Sequence, residues 1–342
     1  MASVCFYFQV HQPHRLRRYS VFDGKADYFD EEQNGGILRK VSEKCYLPAT
    51  QLILNLARKH GSRFRVAYSI TGCVIEQLQT HCPKVIALLQ DLASTGCVEF
   101  LSETYHHSLS LLFSHHEFRA QVDLHRKLIE DLFGQTPRVF RNTELIYNND
   151  LARVIADWGR CHGIITEGAD HILGDRSPNF LYHPAGIDRV SLLLKNYRLS
   201  DDIAFRFSNR SWNEWPLTAE KFVDWIHQIN GNGYVCNLFM DYETFGEHQW
   251  SDTGIFDFLE AMPEKLLESG ANDFKTPSEC IDNYPPVGEY DVPHLISWAD
   301  TERDVSAWLG NAMQSNALNE FTSSKTPSRP PVTARSSQTG GT

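Results

Sequence analysis

Six short apolar runs constrain this chain most: residues 4–10, 64–70, 97–102, 138–143, 162–166 and 234–240, most of them followed closely by acidic or imidazole side chains. Runs of this length and near-continuous apolarity suit strands covered on both faces, the environment of a parallel sheet. Helical signals lie between them. Ser114 with Glu117 forms a capping box ahead of a segment ending at Gly134. Leu151, Val154, Ile155 and Trp158 recur at helical spacing before Gly159, and Thr218 is placed to cap a helix through Phe222, Trp225, Ile226 and Ile229 that Gly231 and Gly233 end. Alternating strands and helices predict an α/β fold, and at 342 residues one β/α barrel with an appendage suits the length.

Two stretches depart from this pattern. Residues 178–215 interrupt short apolar pieces with Gly, Asp, Asn and Arg, which predicts an excursion from the barrel, a β-ribbon or lid. Residues 274–293 are irregular and lead into a last helix expected over about 301–319, with Val305, Trp308, Leu309, Ala312 and Met313 as one apolar stripe. After Phe321 almost no apolar residue remains, so residues 322–342 cannot offset the entropy of ordering and are expected to be a disordered tail. The expected organisation is therefore a catalytic barrel over 1–295, the start of a helical region over 296–321, and the tail.

A net charge of -11 argues against nucleic acid or an anionic membrane surface as a partner, since both need excess Lys and Arg. The first apolar run has no basic residues before it and is too short for a signal peptide or membrane span. Eight cysteines include no C-x-x-C pair, and Cys5 and Cys236 lie inside strand-like runs. They read as reduced core residues of a cytoplasmic protein rather than disulfides or a zinc site.

Chemistry concentrates just past the strands. Glu144 follows the run at 138–143 and Asp241 follows the run at 234–240. In β/α barrels such positions face the catalytic mouth, where two facing carboxylates are what glycoside hydrolysis needs. His11-Gln12-Pro13-His14 follows the first run; Glu76 follows the second; Glu103, His106 and His107 follow the third. Each has a plain reading alone, Glu76 as a solvated helix residue and His106 or His107 as a capped surface group. Several strand ends carrying acids and imidazoles together are harder to assign to structure alone. The segment Asp241-Tyr242-Glu243-Thr244-Phe245-Gly246-Glu247-His248 packs three carboxylates and an imidazole after one strand, and Trp298 with Asp300 offers an indole for a sugar face and a carboxylate for its hydroxyls, although packing of Trp298 on the barrel would explain it as well.

The ordered motifs Val10-His11-Gln12-Pro13, Gly72-Cys73-Val74-Ile75-Glu76, Phe140-Arg141-Asn142-Thr143-Glu144, Met240 through His248, and Ser297-Trp298-Ala299-Asp300 resemble the five signature regions of glycoside hydrolase family 57, in its α-amylase type. That resemblance implies an incomplete (β/α)7 TIM-like barrel followed by a helical bundle, retention of anomeric configuration, and no obligatory metal or cofactor. It implies Glu144 as nucleophile, Asp241 as general acid/base, and His11, Glu76, Glu243 and Asp300 lining the subsites; His106, His248 and Trp298 join them as candidate substrate contacts. The implied substrate is an α-1,4-glucan or maltooligosaccharide. This chain has His248 and Arg303 where some members carry Trp, and its helical region is expected to be truncated after Asn319. An apolar stripe left open there predicts either a homo-oligomer through the last helix or low solubility. Hydrolysis and transfer to a sugar acceptor, as in a 4-α-glucanotransferase, use the same two carboxylates. Other classes are a catalytically silent α-glucan-binding protein and a metal-dependent polysaccharide deacetylase with ligands among His11, His106, His107 and Asp241.

Overall fold

The computed structural model describes residues 1–20, 22, 24, 27–299 and 301–323. The chain divides into two compact units, Met1–Asp304 and Val305–Thr342. Among the described residues the first contains ten strands: β1 (Ser3–Val10), β2 (Val66–Ile70), β3 (Val98–Phe100), β4 (Val139–Arg141), β5 (Gly163–Glu167), β6 (Leu181–Pro184), β7 (Ser191–Lys195), β8 (Val235–Asp241), β9 (Asp273–Phe274) and β10 (Glu289–Tyr290).

Pairing is parallel in the order β3-β2-β1-β8, with β9 beside β1, and again between β4, β5 and β7. The two sheets meet at their edges. Ser102, just past β3, bridges Phe140 of β4. At the other edge the Asn196 backbone N–H donates to the Asn237 carbonyl at 2.9 Å, and the Asn237 side chain donates to the Leu194 carbonyl at 2.9 Å. Seven parallel strands, β1, β2, β3, β4, β5, β7 and β8, thus follow one another around the molecule, as a (β/α)7 barrel requires.

Side-chain alternation explains why each strand reads as an unbroken apolar run. Inward-pointing Cys5, Tyr7, Ala67, Leu101, Val139, Ile165, Leu193, Val235 and Phe239 form one cluster. Their neighbours Val4, Phe6, Phe8, Val66, Tyr68, Leu238 and Met240 pack outward under helices, and Phe140, Ile164, Leu192 and Leu194 do the same on the other side. Both faces are buried, so no polar alternation survives.

The expected helices form. Ser114 accepts from the Glu117 N–H, and that helix, His115–Phe133, ends on left-handed Gly134; Asn149–Trp158 ends the same way at Gly159; Thr218 accepts from the Lys221 N–H ahead of Ala219–His227. Residues 178–215 are only partly the expected excursion. Antiparallel β6 and β7 make a hairpin, but the fully buried β7 is a barrel strand and the following helix Tyr197–Ala204 packs on β8. In the second unit, the single helix expected over 301–319 is two: Ser306–Leu309 and Ala312–Ser323. The break falls at Gly310, a poor helix former, and the Asn311 side chain accepts from the Gln314 N–H to start the second helix. None of Val305, Trp308, Leu309, Ala312 or Met313 is buried, and Met313 is 81% exposed. Residues 324–342 lie outside the described residues. No helix among the described residues is long and apolar enough to cross a membrane.

After β8 the chain turns tightly against the segment Ser42–Tyr46. Gly246 makes this possible: its φ is +113°, and a Cβ there would meet the Lys44 carbonyl oxygen at 1.9 Å. A side chain would therefore face both a disfavoured backbone conformation and immovable backbone. Gly246→Ala is expected to destabilise the protein by about 1–3 kcal/mol, read as a lowered denaturation midpoint in urea; an unchanged midpoint would refute this account of the turn.

Candidate active site

Two residues beyond each inward apolar side chain, at the carboxyl ends of the strands, the same alternation delivers a polar layer: Gln9 (β1), Ser69 (β2), Glu103 (after β3), Arg141 (β4), Glu167 (β5), Lys195 (β7) and Asp241 (β8). All but Asp241 are buried. Burial of so many charges demands pairing. The Ser69 hydroxyl donates to Glu103 at 2.5 Å, and the Arg141 guanidinium lies 3.9 Å from the other Glu103 oxygen. Lys195 Nζ lies 3.2 Å from Asp201 and 3.8 Å from Glu167.

Glu144 stands above this layer in left-handed backbone, at φ +55°, in a short turn tied back by the Asn142 side chain donating to the Ile146 carbonyl at 3.0 Å. Each carboxylate oxygen of Glu144 has its own donor: His107 Nε2 at 2.7 Å on Oε1 and the Trp298 indole N–H at 2.9 Å on Oε2. His107, also left-handed at φ +52°, turns its other ring nitrogen to Glu103 Oε2 at 3.6 Å. Two non-glycine residues held in this conformation and bonded to each other mark a site that the surrounding structure enforces.

The two carboxyl groups are driven apart in ionisation. Burial alone would raise Glu144, but the hydrogen bond and charge of His107, the charge of Arg141 and the Trp298 N–H outweigh it and hold Glu144 at about 2. Asp241 is only half-buried, but its partial loss of water raises it, and the nearby negative charge of Glu144 raises it further. Burial lowers His107, yet the nearby Glu103 carboxylate and the hydrogen bond to Glu144 more than compensate, so its net shift is upward. At neutral pH this favours an ionised Glu144 beside a carboxyl biased toward its acid form.

Trp298 is fixed from behind. Its backbone N–H and the Ser297 hydroxyl donate to the Glu144 carbonyl at 3.2 and 2.8 Å. Arg303 donates to the Trp298 carbonyl at 2.8 Å and is itself held by Glu167 at 3.2 Å and Asp201 at 3.3 Å. The Arg141 guanidinium and Lys195 ammonium lie over the indole at 5.1 and 5.2 Å. The indole is therefore built into the charge network, as well as lining a hollow of about 200 Å³ with Lys195, Phe205, Asp241, Thr244 and His248.

The other sequence candidates fall in two groups. His11 belongs to the mouth: it stacks on His107 with ring centroids 4.1 Å apart, its Nδ1 lies 2.9 Å from the Thr71 hydroxyl, and burial together with His107 pushes it down to about 3. Glu243 is buried beside Asp241, hydrogen-bonded by Gln12 at 3.2 Å and by the Tyr46 hydroxyl, and pushed up to about 7 by burial and the Asp241 charge. Glu76 and His106 lie elsewhere on the rim. Glu76 is an exposed helix residue that accepts from the Tyr105 hydroxyl at 2.5 Å, while His106 faces Cys73 at 3.5 Å. Its neighbour His107 is the imidazole that meets Glu144. Asp300 lies outside the described residues. Among the described residues no group of three or more His, Cys, Asp or Glu side chains is arranged to hold a metal ion, and both His107 nitrogens face carboxylates.

The sequence reading does not assign Arg141, Glu167 and Lys195 to the site, and it counts Glu103 only as an acid at the rim. The signal was present: each lies two residues past an inward apolar position on its strand.

The family model described as Glycosyl hydrolase family 57 matches residues 5–293. A protein named "Putative alpha-amylase" from Methanocaldococcus jannaschii is 48% identical over 317 residues, covering 91% of this chain and 66% of that protein. Among solved structures, 4-alpha-glucanotransferase from Thermococcus litoralis superposes with a TM-score of 0.70 at 16% identity over 94% of this chain and 45% of that one. A GH57-type branching enzyme from Pyrococcus horikoshii gives 0.70 at 14% identity over 92% and 76%. At these identities the structures establish the fold. The chain spans just under two thirds of the length of the M. jannaschii relative.

The shared proton economy of His107 and Glu144 has a measurable consequence. Glu144, depressed in the folded state, contributes stability that is present above the usual carboxylate range and lost as pH falls toward about 2. His107, raised, contributes stability present below about 6.5 and lost as pH rises through its folded value. His107→Gln is expected to flatten the dependence of the denaturation midpoint on pH in both windows. Parallel curves for parent and variant across the whole range would refute the pairing.

Proposed function

The chain belongs to glycosyl hydrolase family 57, and on that premise we propose that its barrel, residues 1–295, is a retaining glycoside hydrolase acting on α-1,4-glucans. The observation that carries this reading is the opposed ionisation of two carboxyl groups at one barrel mouth: Glu144 held low by two donors and a cationic surround, Asp241 raised by burial and by Glu144 itself. The names of the α-amylase and glucanotransferase relatives support the substrate class.

In this mechanism Asp241 donates its proton to the glycosidic oxygen while a Glu144 oxygen attacks the anomeric carbon. The C–O bond to the leaving sugar breaks and an ester to Glu144 forms. Asp241, now ionised, takes a proton from water or from a sugar hydroxyl, which attacks the same carbon and frees Glu144. Water completes hydrolysis; a sugar acceptor gives transglycosylation. His11, Glu243 and His248 contact the sugar nearest the cleaved bond, Trp298 both lines the hollow and steadies Glu144, Glu76 and His106 act farther along the rim, and Asp300 is a further substrate contact. No cofactor enters this scheme.

Eight free cysteines, seven of them buried, support a reducing, cytoplasmic setting. The stripe Val305, Trp308, Leu309, Ala312 and Met313, none of it buried and Met313 most exposed, supports self-association through that unit. Concentration-dependent sedimentation, lost in Met313→Glu, would bear this out.

Incubation with maltooligosaccharides followed by product analysis separates the outcomes: shorter sugars alone for hydrolysis, longer and shorter sugars together for transfer, and unchanged substrate for a silent binder. Glu144→Gln is expected to abolish turnover with the fold intact, and Asp241→Asn to slow it by about 10²–10⁴-fold. Azide should rescue Asp241→Ala as a glycosyl azide of retained configuration. Rescue restricted to Glu144→Ala would reverse the two roles, and a separation in an experimental structure well beyond the roughly 5–5.5 Å of retaining pairs would reject the retaining mechanism.

A further inference from the structure

A second hollow, of about 660 Å³, is lined by Glu43, Lys44 and Pro48 on one wall and Trp250, Asp252 and Phe256 on the other. The Trp250 indole is 60% exposed, although an indole is among the costliest side chains to leave in water. It is not a loose surface residue. The Gln249 side chain before it is buried and donates to the Ala204 carbonyl at 2.9 Å, the Gly246 N–H donates to the Gln249 carbonyl at 2.9 Å, and the Trp250 carbonyl accepts from the Thr253 hydroxyl at 2.6 Å. Lys44, itself paired with Glu247 at 3.4 Å, sets its ammonium 5.3 Å from the centre of the indole ring. An exposed aromatic held this rigidly loses little freedom when a ligand arrives.

The loop that mounts Trp250 is the one that leaves β8. Its Asp241, Thr244 and His248 line the hollow that Trp298 also lines, and Gly246, Trp250, Ser251 and Asp252, interleaved with them along the chain, line this one. One loop thus lines both hollows. A flat apolar ring edged by the Glu43 and Asp252 carboxylates and the Ser251 hydroxyl matches a ligand with an apolar ring face and a rim of hydroxyl donors. We propose that Trp250 is an outlying subsite for an α-glucan chain, stacking on a sugar several residues away from the bond cleaved between Glu144 and Asp241.

This rests on the glucan reading and extends it to chain length: short oligosaccharides fill the inner hollow alone, and longer ones also reach Trp250. The test uses the full chain. Binding of a maltooligosaccharide series is measured by calorimetry in the Glu144→Gln background, with and without Trp250→Ala, and initial rates are measured with Trp250→Ala alone. Expected results are about a tenfold loss of affinity for the long members only, an unchanged rate on the shortest substrate, and recovery of most of the long-chain affinity in Trp250→Phe. Equal loss at every length would place Trp250 in the inner hollow and overturn the proposal, as would no loss at any length. If the parent neither binds nor cleaves any member, the glucan reading itself falls, and this subsite with it. Because Trp250 is exposed, an unchanged melting temperature for Trp250→Ala is the control that separates a lost contact from a damaged fold.

Discussion

The structure turns on a band of charge buried at one end of an apolar barrel. Glu103, Arg141, Glu167 and Lys195 are each almost wholly removed from water, and none would be tolerated there alone. They are tolerated because the strands place opposite charges side by side: Arg141 near Glu103, Lys195 between Glu167 and Asp201. Arg303 then closes the second group from outside the barrel wall, bridging Glu167 and Asp201. Deleting one partner would leave its counterpart buried and uncompensated, the condition that costs several kcal/mol. A network of this kind is a weak source of stability and a strong source of geometry.

That geometry is spent on Glu144. Its oxygens are met by two donors from different parts of the chain, and each donor is anchored in a different half of the charged band: His107 against Glu103, and Trp298 against Arg303. The position and ionisation of Glu144 therefore depend on both halves at once. Asp241 moves the other way: burial and the negative charge of Glu144 raise it, and the charges of Arg141, His248 and Lys195 offset this only in part. Two carboxyl groups can thus share one mouth without sharing one ionisation state.

Most of the barrel was legible in the sequence because both faces of its strands are apolar; the runs at 4–10, 64–70 and 234–240 stand out from any reading of hydropathy. The strand β7 was not legible. It is five residues long and lies between the turns at Gly186 and the polar helix start at Asn196, so local composition there resembles a loop although every one of its side chains is buried. Glu144 and Asp241 were accessible because they lie past strand ends, where an acid stands out. Arg141 was hidden by the opposite circumstance: it lies inside a strand run, and only the parity set by Val139 shows that it points inward. His106 and His107 are adjacent and chemically identical. What separates them is the left-handed turn at His107, a backbone property that no spacing rule reveals.

The loop after β8 shows how one short segment can serve both reaction and reach. Asp241 ends a strand paired with β1 along its whole length; Gly246 lets the chain fold back against the Lys44 backbone, where a larger residue would not fit. The turn that follows carries Trp250 outward on a backbone held by Gln249 and Thr253. On the glucan reading, attachment to the strand that carries Asp241 would hold a sugar stacked on Trp250 in a fixed register with Asp241. Register, more than raw affinity, decides which bond of a polymer lies over the reacting carboxylates.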